Sequence, residues 1–324
     1  MSTRFDGTLK RATGLLIIET KNSNPNGDPD QEGDPRTRYD DRGIITGISF
    51  KRKLRDLVDE KDTALWDSLG HQLQATEFQI LEKRFRDRSE ILSLHSEEFI
   101  SRYWDARLFG NTTLEKKDSS NGQENPDSST KKKGKKTDVT FEELKKKQHF
   151  IRSGVVSFGL GVSVCPVRIN RLTLTNKAGV QETKDRGMAP LGYRIVEHGL
   201  YCMPFFINPT AALKTGCQPR DVALLLKLIP YAYPHTKSAI RPFVEVRYAW
   251  YAEHLNPLGS FSEFSFIEAM TPKRKGDPEE PSSDKLSLAE QYDVPKALPE
   301  DLRGKAQLYD LCEDHLPDWC KNAE

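Results

Sequence analysis

Two kinds of residue alternate between Asn22 and Arg55 in a way that suits an anionic ligand. The run Asn22-Ser23-Asn24-Pro25-Asn26-Gly27 packs three amide side chains and a glycine into six positions. Asparagine offers amide donors, and glycine leaves backbone N–H groups unobstructed, so a tight turn of this make-up can cradle phosphate oxygens. Residues 36–55 then hold seven bases (Arg36, Arg38, Arg42, Lys51, Arg52, Lys53, Arg55) against Asp40 and Asp41, a net of +5. The whole chain of 324 residues carries a net charge of only +1. Its positive charge is therefore clustered rather than global, as a groove for phosphates requires. A solvated surface with chance clustering is the competing explanation for any single charge run.

Other chemistries find no support. No G-x-x-x-x-G-K-[ST] occurs, and Val164 stands where a dinucleotide fingerprint starting at Gly159-x-Gly161 needs its third glycine. Neither H-E-x-x-H nor G-x-S-x-G is found. Read as a calcium loop, the Asn22 segment has Gly33 where a bidentate Glu is needed, which argues against that metal. The five cysteines, Cys165, Cys202, Cys217, Cys312 and Cys320, form no C-x-x-C pair, so no zinc ribbon is expected. No cofactor or metal is expected. An odd cysteine count without an apolar signal core points to reduced thiols in a cytoplasm. No run is long enough to cross a bilayer. Of the seven histidines, His198 and His235 are the candidates for a general base in a metal-independent ribonuclease, and a structural role is the ordinary reading of each.

The elements that would position the Asn22–Arg55 stretch follow from periodicity. Residues 12–20 are apolar on both faces, which predicts a central strand. Residues 22–43, dense in Asn, Gly, Pro and Asp, read as an ordered loop. Thr46 is a helix cap, and Phe50, Leu54, Leu57 and Val58 form an apolar stripe on a helix running to about Val58. Lys51, Arg52 and Arg55 fall off that stripe and can face a ligand. Residues 63–107 read as a helical insertion anchored by Leu81, Phe85, Phe99 and Trp104, and 114–148 as a flexible Lys-rich insertion.

Residues 154–164 alternate, with Val156, Phe158, Leu160, Val162 and Val164 on one face and Ser157, Gly159, Gly161 and Ser163 on the other. The nearly bare face would admit a helix or a ligand backbone. Residues 193–207 read as a strand, and Asp221–Ile229 as a buried helix stopped by Pro230. In 243–251, Val244, Val246, Tyr248 and Trp250 alternate with Glu245, Arg247 and Ala249. Residues 277–324 carry 13 acids against 5 bases, a net of −8, and 271–324 read as an acidic linker and tail with a short helix near 301–315. The order strand, helix, insertion, strands, helix, strand fits an α+β fold with a ferredoxin-like βαββαβ unit in residues 1–270.

The run Glu19 to Asp30 with its Asn24-Pro25-Asn26-Gly27-Asp28-Pro29 element, then Pro35-Arg36, Gly43-Ile44-Ile45-Thr46 and Lys51-Arg52-Lys53-Leu54-Arg55-Asp56, resembles a known family. It is similar to the repeated backbone subunit of type I CRISPR surveillance complexes (Cascade), closest to the subtype C and B versions. Three further matches follow in order. Asp105-Ala106-Arg107-Leu108-Phe109-Gly110 resembles the family's D-x-R-x-F-G. Tyr193–Tyr201 resembles its K-H-x-V-x-Y-G-L-Y strand, and Ser238-Ala239-Ile240-Arg241 its S-A-x-R turn. The resemblance covers roughly residues 10–260; 114–148 and the part after 270 depart from it.

The resemblance implies a modified RRM-like palm with a helical finger insertion and a thumb-like loop insertion, whose residues it does not place. It implies a non-catalytic subunit that polymerises along CRISPR guide RNA. The partners would be further copies of itself, the guide 5′-end, large and small subunits, and target DNA through the guide. A protein that accepts any guide sequence must hold phosphate and ribose rather than read bases. The candidate RNA-binding residues are Asn22, Asn24, Asn26, Gly27, Arg36, Lys51, Arg52, Arg55, Arg107, Ser238 and Arg241, with Arg107 the one expected to support the site or a subunit contact. The alternative is a CRISPR-associated endoribonuclease that processes precursor guide RNA.

Overall fold

The computed structural model describes residues 9–61, 63–83, 96–111, 152–176 and 189–321. The predicted Lys-rich insertion and Phe85 lie outside the described residues. The fold is α+β, built on one large antiparallel sheet. No helix among the described residues is long and apolar enough to cross a membrane.

Strand β1 (Ala12–Ser23) lies at the centre, as its unbroken apolar run requires. It pairs antiparallel with β6 (Ala189–Ile207) on one side and β7 (Val244–His254) on the other. Beyond β6 lie β3 (Val156–Phe158), β4 (Gly161–Pro166) and β5 (Ile169–Asn176); β2 (Arg42–Ile45) extends the sheet from β4. At the other edge β8 (Ala306–Asp310) pairs with β7.

Alternation along β1 sends its side chains into two separate cores. Leu16 and Ile18 pack in a core with Phe50, Leu54 and Val58 of helix α1 (Gly47–Asp59) and with Val222, Leu225 and Leu226 of a helix at Pro219–Leu228. Leu15 and Ile17 face the other way, against Phe266, Met270, Tyr292, Leu298 and Leu302. Helix α1 starts where the sequence predicts: the Thr46 hydroxyl accepts from Ser49 N, and the predicted stripe is buried. In chain order α2 is Ala64–Gln72, α3 Ser96–Arg102, α4 Trp104–Phe109 and α5 the Pro219–Leu228 helix.

Four expectations need correction. The stretch after 270 is not a linker and tail. It supplies edge strand β8 where a helix near 301–315 was expected, and it covers the second face of the sheet through sparse anchors between its acids and prolines. Charge averaged over such a segment hides a few well-placed apolar residues, and those decide whether it packs. Second, 154–164 is not one strand. It breaks at Gly159–Leu160, where Gly159 N donates to Pro204 O at 2.8 Å, and the register on β6 slips by one residue. That slip exchanges the faces: Leu160 is 55% exposed, Ser163 is buried, and Val164 packs on the second core.

Third, β7 carries a bulge at Arg247 opposite Ile17 and Ile18. Val244 and Val246 therefore join the helix-side core, while Tyr248 and Trp250 face the second core. Fourth, Arg55 is not open to a ligand on α1 but is buried.

Candidate nucleic-acid interface

The Asn22–Arg36 loop is held by contacts from four distant parts of the chain. Asn24 is buried, and its Nδ2 donates to Gly33 O at 2.8 Å and to Arg194 O at 3.0 Å. Its backbone N–H donates to Ile240 O at 2.8 Å, while Arg241 Nε donates to Asn24 O at 3.0 Å. Arg241 in turn closes the Ser238–Arg241 turn, donating its N–H to Ser238 O at 2.9 Å. Asn26 Oδ1 accepts from Thr46 N at 2.8 Å and Thr46 Oγ1 at 3.0 Å, which ties the loop to the start of α1. Gly27 pairs with Pro35 across a two-residue ladder, and Arg36 N donates to Asn26 O at 3.0 Å. Arg36 also reaches Asp28 at 3.2 Å. Asn22 is exposed in the left-handed region at φ 44°, a conformation asparagine tolerates.

The underside of the loop is braced by charge. Asp34 accepts from Arg171 and, at 3.3 Å, from Arg194; these guanidiniums, Arg171 first, hold its carboxyl below the usual carboxylate range. Arg194 also pairs with Glu32. Both arginines stand on the β5–β6 hairpin, so loop and hairpin are fastened together.

The cations of α1 divide by surroundings. Arg55 Nε donates to Asp105 Oδ2 at 2.8 Å, and its guanidinium pairs with Glu82 at 2.9 Å. Asp105 also accepts from the backbone N–H groups of Leu81 and Glu82, at 2.7 and 3.2 Å. Arg52 pairs with Asp56 and donates to Glu82 O at 2.6 Å. Lys51 has no carboxylate in ion-pair reach among the described residues, and its Nζ lies 5.0 Å from the Phe109 ring centre. Burial first, then the Arg55 charge, holds its ammonium below the ordinary lysine pKa. Arg107 is buried and clamps Asp221 of α5 with two hydrogen bonds, 2.9 and 2.7 Å, while its Nη1 donates to Ile100 O and Ser101 O. The D-x-R pair thus joins α4 to α1 through Asp105 and to α5 through Arg107.

Sequence reasoning missed four participants. Asp221 answers Arg107, and its signal was its place three residues after the cap Gln218, where it also closes a capping box. Phe109, in the D-x-R-x-F-G element, lies under both Lys51 and Arg55. The acids Glu279 and Asp284 reach this edge from the far end of the chain, and no local pattern announces that.

Of the two histidine candidates, His198 is fully buried between Ser282 Oγ (2.7 Å from Nδ1) and Glu19 Oε1 (3.2 Å from Nε2). His235 stands on an exposed short turn, edge-on to the Tyr231 ring. The five cysteines are free thiols.

Segments that the sequence analysis picked out far apart therefore meet at one loop, and the family comparison matches the same span. The model of the CRISPR-associated protein Cas7 family matches residues 10–294. The chain belongs to that family. As a Cas7 protein it falls among the backbone subunits of type I guide-RNA complexes, and the RNA-processing alternative is not favoured. Cas7 backbone subunits are generally non-catalytic. The family match continues past residue 270, into the segment that packs on the second sheet face. No curated protein matches the chain. Among solved structures it is similar to a chain of a "CRISPR RNA-guided surveillance complex", at 13% identity, covering 82% of this chain and 77% of that one with a TM-score of 0.40. It is also similar to a chain of a "CRISPR RNA-guided surveillance complex, pre-nicking", at 14% identity, 75% of each chain and a TM-score of 0.42.

Proposed function

We propose that copies of this chain line up along a guide RNA and hold its phosphate–ribose backbone at one edge of the palm. That edge is where the Asn22–Arg36 loop, the first turns of α1 and the Ser238–Arg241 turn meet. The guide bases are left free to pair with target DNA. Asn22, Gly27, Arg36, Lys51, Arg52 and Ser238 are the groups proposed to meet the RNA. Asn24, Asn26, Arg55, Arg107 and Arg241 act by fixing the loop and helix that present them.

The observation that carries this reading is the covered sheet. An RRM binds RNA on its open sheet face; here that face is packed against Phe266, Met270 and Tyr292. Binding at the loop edge is the arrangement left to a palm built this way. The strand order β7-β1-β6-β4, with α1 and α5 together on one face, supports an RRM-like βαββαβ palm in residues 1–270. On this reading 63–107 is its helical insertion, and the β5–β6 hairpin fastened to the loop is the thumb. Neighbouring copies and the guide 5′-end, large and small subunits complete the assembly. Free thiols fit a reducing, cytoplasmic setting. The subunit works by holding, not by cleaving.

The test is RNA binding by the purified full chain, measured by fluorescence anisotropy over a salt series. Affinity should rise with RNA length, ignore sequence and fall steeply with salt. A protein with no RNA affinity at low salt, or one that cleaves repeat RNA at a defined position, would overturn the proposal.

A further inference from the structure

An acidic stretch late in the chain reaches the edge that carries Asn22 and Arg42. Residues 277–284, Asp-Pro-Glu-Glu-Pro-Ser-Ser-Asp, contain four acids and no base. They belong to a closed strap. Its ends meet where Lys273–Arg274 pairs with Tyr292–Asp293, and Lys275 N donates to Gln291 O at 2.8 Å. The buried Gln291 side chain braces it from within: Oε1 accepts from Ser283 N at 2.7 Å, and Nε2 donates to Ser283 O at 2.8 Å and Leu286 O at 3.2 Å. Two contacts fasten the strap to the sheet, Ser282 Oγ to His198 Nδ1 at 2.7 Å and Tyr292 Oη to Cys165 Sγ at 3.2 Å. It is a built element, not a loose tail.

From this base two carboxylates reach over the edge of the palm. Glu279 Oε1 lies 3.1 Å from an Arg42 guanidinium nitrogen, and Asp284 Oδ2 accepts from Asn22 Nδ2 at 3.3 Å. A carboxylate oxygen accepting from a guanidinium and an amide makes the contacts a phosphate oxygen would make. Arg42 is held independently by the carbonyl of Val164 and by Asp40 at 3.4 Å, so it keeps its orientation when Glu279 leaves. Glu279 is 70% exposed, and exposed pairs of this kind are weak and screened by salt.

We infer that residues 277–284 are an internal phosphate mimic, an acidic strap that occupies Arg42 and Asn22 in the RNA-free chain and yields both to guide phosphates. This assigns Arg42 to the RNA path and gives the net-acidic C-terminal part a role at the basic edge. The inference rests on the reading of that edge as the RNA-binding one. A phosphodiester brings release of condensed counterions, which the tethered carboxylates lack, so at moderate salt RNA displaces the strap.

The test compares the full chain with Glu279→Gln, Asp284→Asn and the double variant, using oligouridylate as probe. Glu280→Gln is the control: it removes the same charge from an exposed side chain that makes no hydrogen bond or ion pair among the described residues. The double variant should bind about three- to tenfold tighter, the range expected for losing two weak exposed pairs, with the control close to the parent. Hydrogen exchange of the 277–284 amides should speed up when RNA binds the parent chain. Equal tightening by Glu280→Gln would reduce the effect to bulk charge and overturn the inference. So would unchanged affinity in the double variant together with unchanged or slower exchange. If neither the parent nor any variant binds RNA, the reading of the edge itself fails, an outcome distinct from failure of the strap alone.

Discussion

Arg241 donates from Nε to the carbonyl oxygen of Asn24 at 3.0 Å, joining positions 217 residues apart. Asn24 returns the link, donating its N–H to Ile240 O. The two segments hold each other, so the shape of the loop depends on a side chain far along the chain. Arg241→Ala should leave the sheet intact and loosen the loop. RNA affinity should fall several-fold, with a stability loss of about 1 kcal/mol, typical of one lost hydrogen bond. Arg241→Lys should restore little, because an ammonium on a flexible stem does not reproduce the planar Nε donor. Anisotropy titrations beside chemical denaturation curves separate the two effects.

Asp105 and Arg55 form a buried ion pair in which Asp105 also caps two backbone N–H groups. Removing Arg55 strands the Asp105 charge in the interior, and removing Asp105 leaves the buried Arg55 with the largely exposed Glu82 as its remaining carboxylate. Arg55→Met and Asp105→Leu should each therefore cost about 3–5 kcal/mol, while the two changes together should cost much less than their sum. The residual cost of the double change reports the two backbone donors at Leu81 and Glu82. Urea denaturation of the parent, both single variants and the double variant forms the cycle that measures this.

How far the sequence discloses this site depends on whether the deciding interaction is local. Helix α1 could be read because its cap, stripe and length all lie within Thr46–Asp59. Strand β1 could be read because its apolar run is contiguous. The face of Arg55 could not, because its partner Asp105 is 50 residues away; helical phase shows that it lies off the stripe but not that another element covers it. The bulge at Arg247 and the break at Gly159 each move one residue, and a period-2 pattern carried through them reverses every later face. The C-terminal segment was misread because its anchors are few and its acids many. The Asn-Gly loop was recognisable as a motif, yet Asn24 and Asn26 spend their amides on the protein itself.

Lys51 is the α1 cation best placed to change its environment when RNA arrives. Its ammonium is held below the ordinary lysine pKa by burial and by Arg55. A nearby phosphate favours the charged form, so binding is coupled to proton uptake. RNA affinity should decline as pH rises through the depressed Lys51 pKa, at lower pH than an ordinary lysine would produce. Lys51→Arg should remove this decline, and Lys51→Gln should lower the slope of log affinity against log salt by about 0.7, one phosphate contact. Affinity measured across pH at fixed salt checks the first statement, and across salt at fixed pH the second.

His254 ends strand β7 inside the protein, its ring 3.9 Å from that of Phe261. Ser260 N donates to Nδ1 at 2.8 Å, so the neutral ring carries its proton on Nε2 and donates it to Thr13 Oγ1 at 3.1 Å. Burial, and then the nearby Arg11 charge, pushes its pKa down to about 4. The unfolded chain takes up this proton near pH 6.5 and the folded chain only near 4, so over that interval the unfolded state binds more protons. The contribution to stability is complete above about pH 6.5 and is lost progressively as pH falls to about 4. Protonation at Nδ1 would also cost the Ser260 hydrogen bond and loosen the loop between β7 and the helix Glu263–Met270. The melting temperature should therefore fall between pH 7 and pH 5, and His254→Gln should flatten that part of the profile while lowering stability at pH 7. A parent melting temperature that holds constant across the same interval would mean that the ring is already charged or open to solvent at neutral pH.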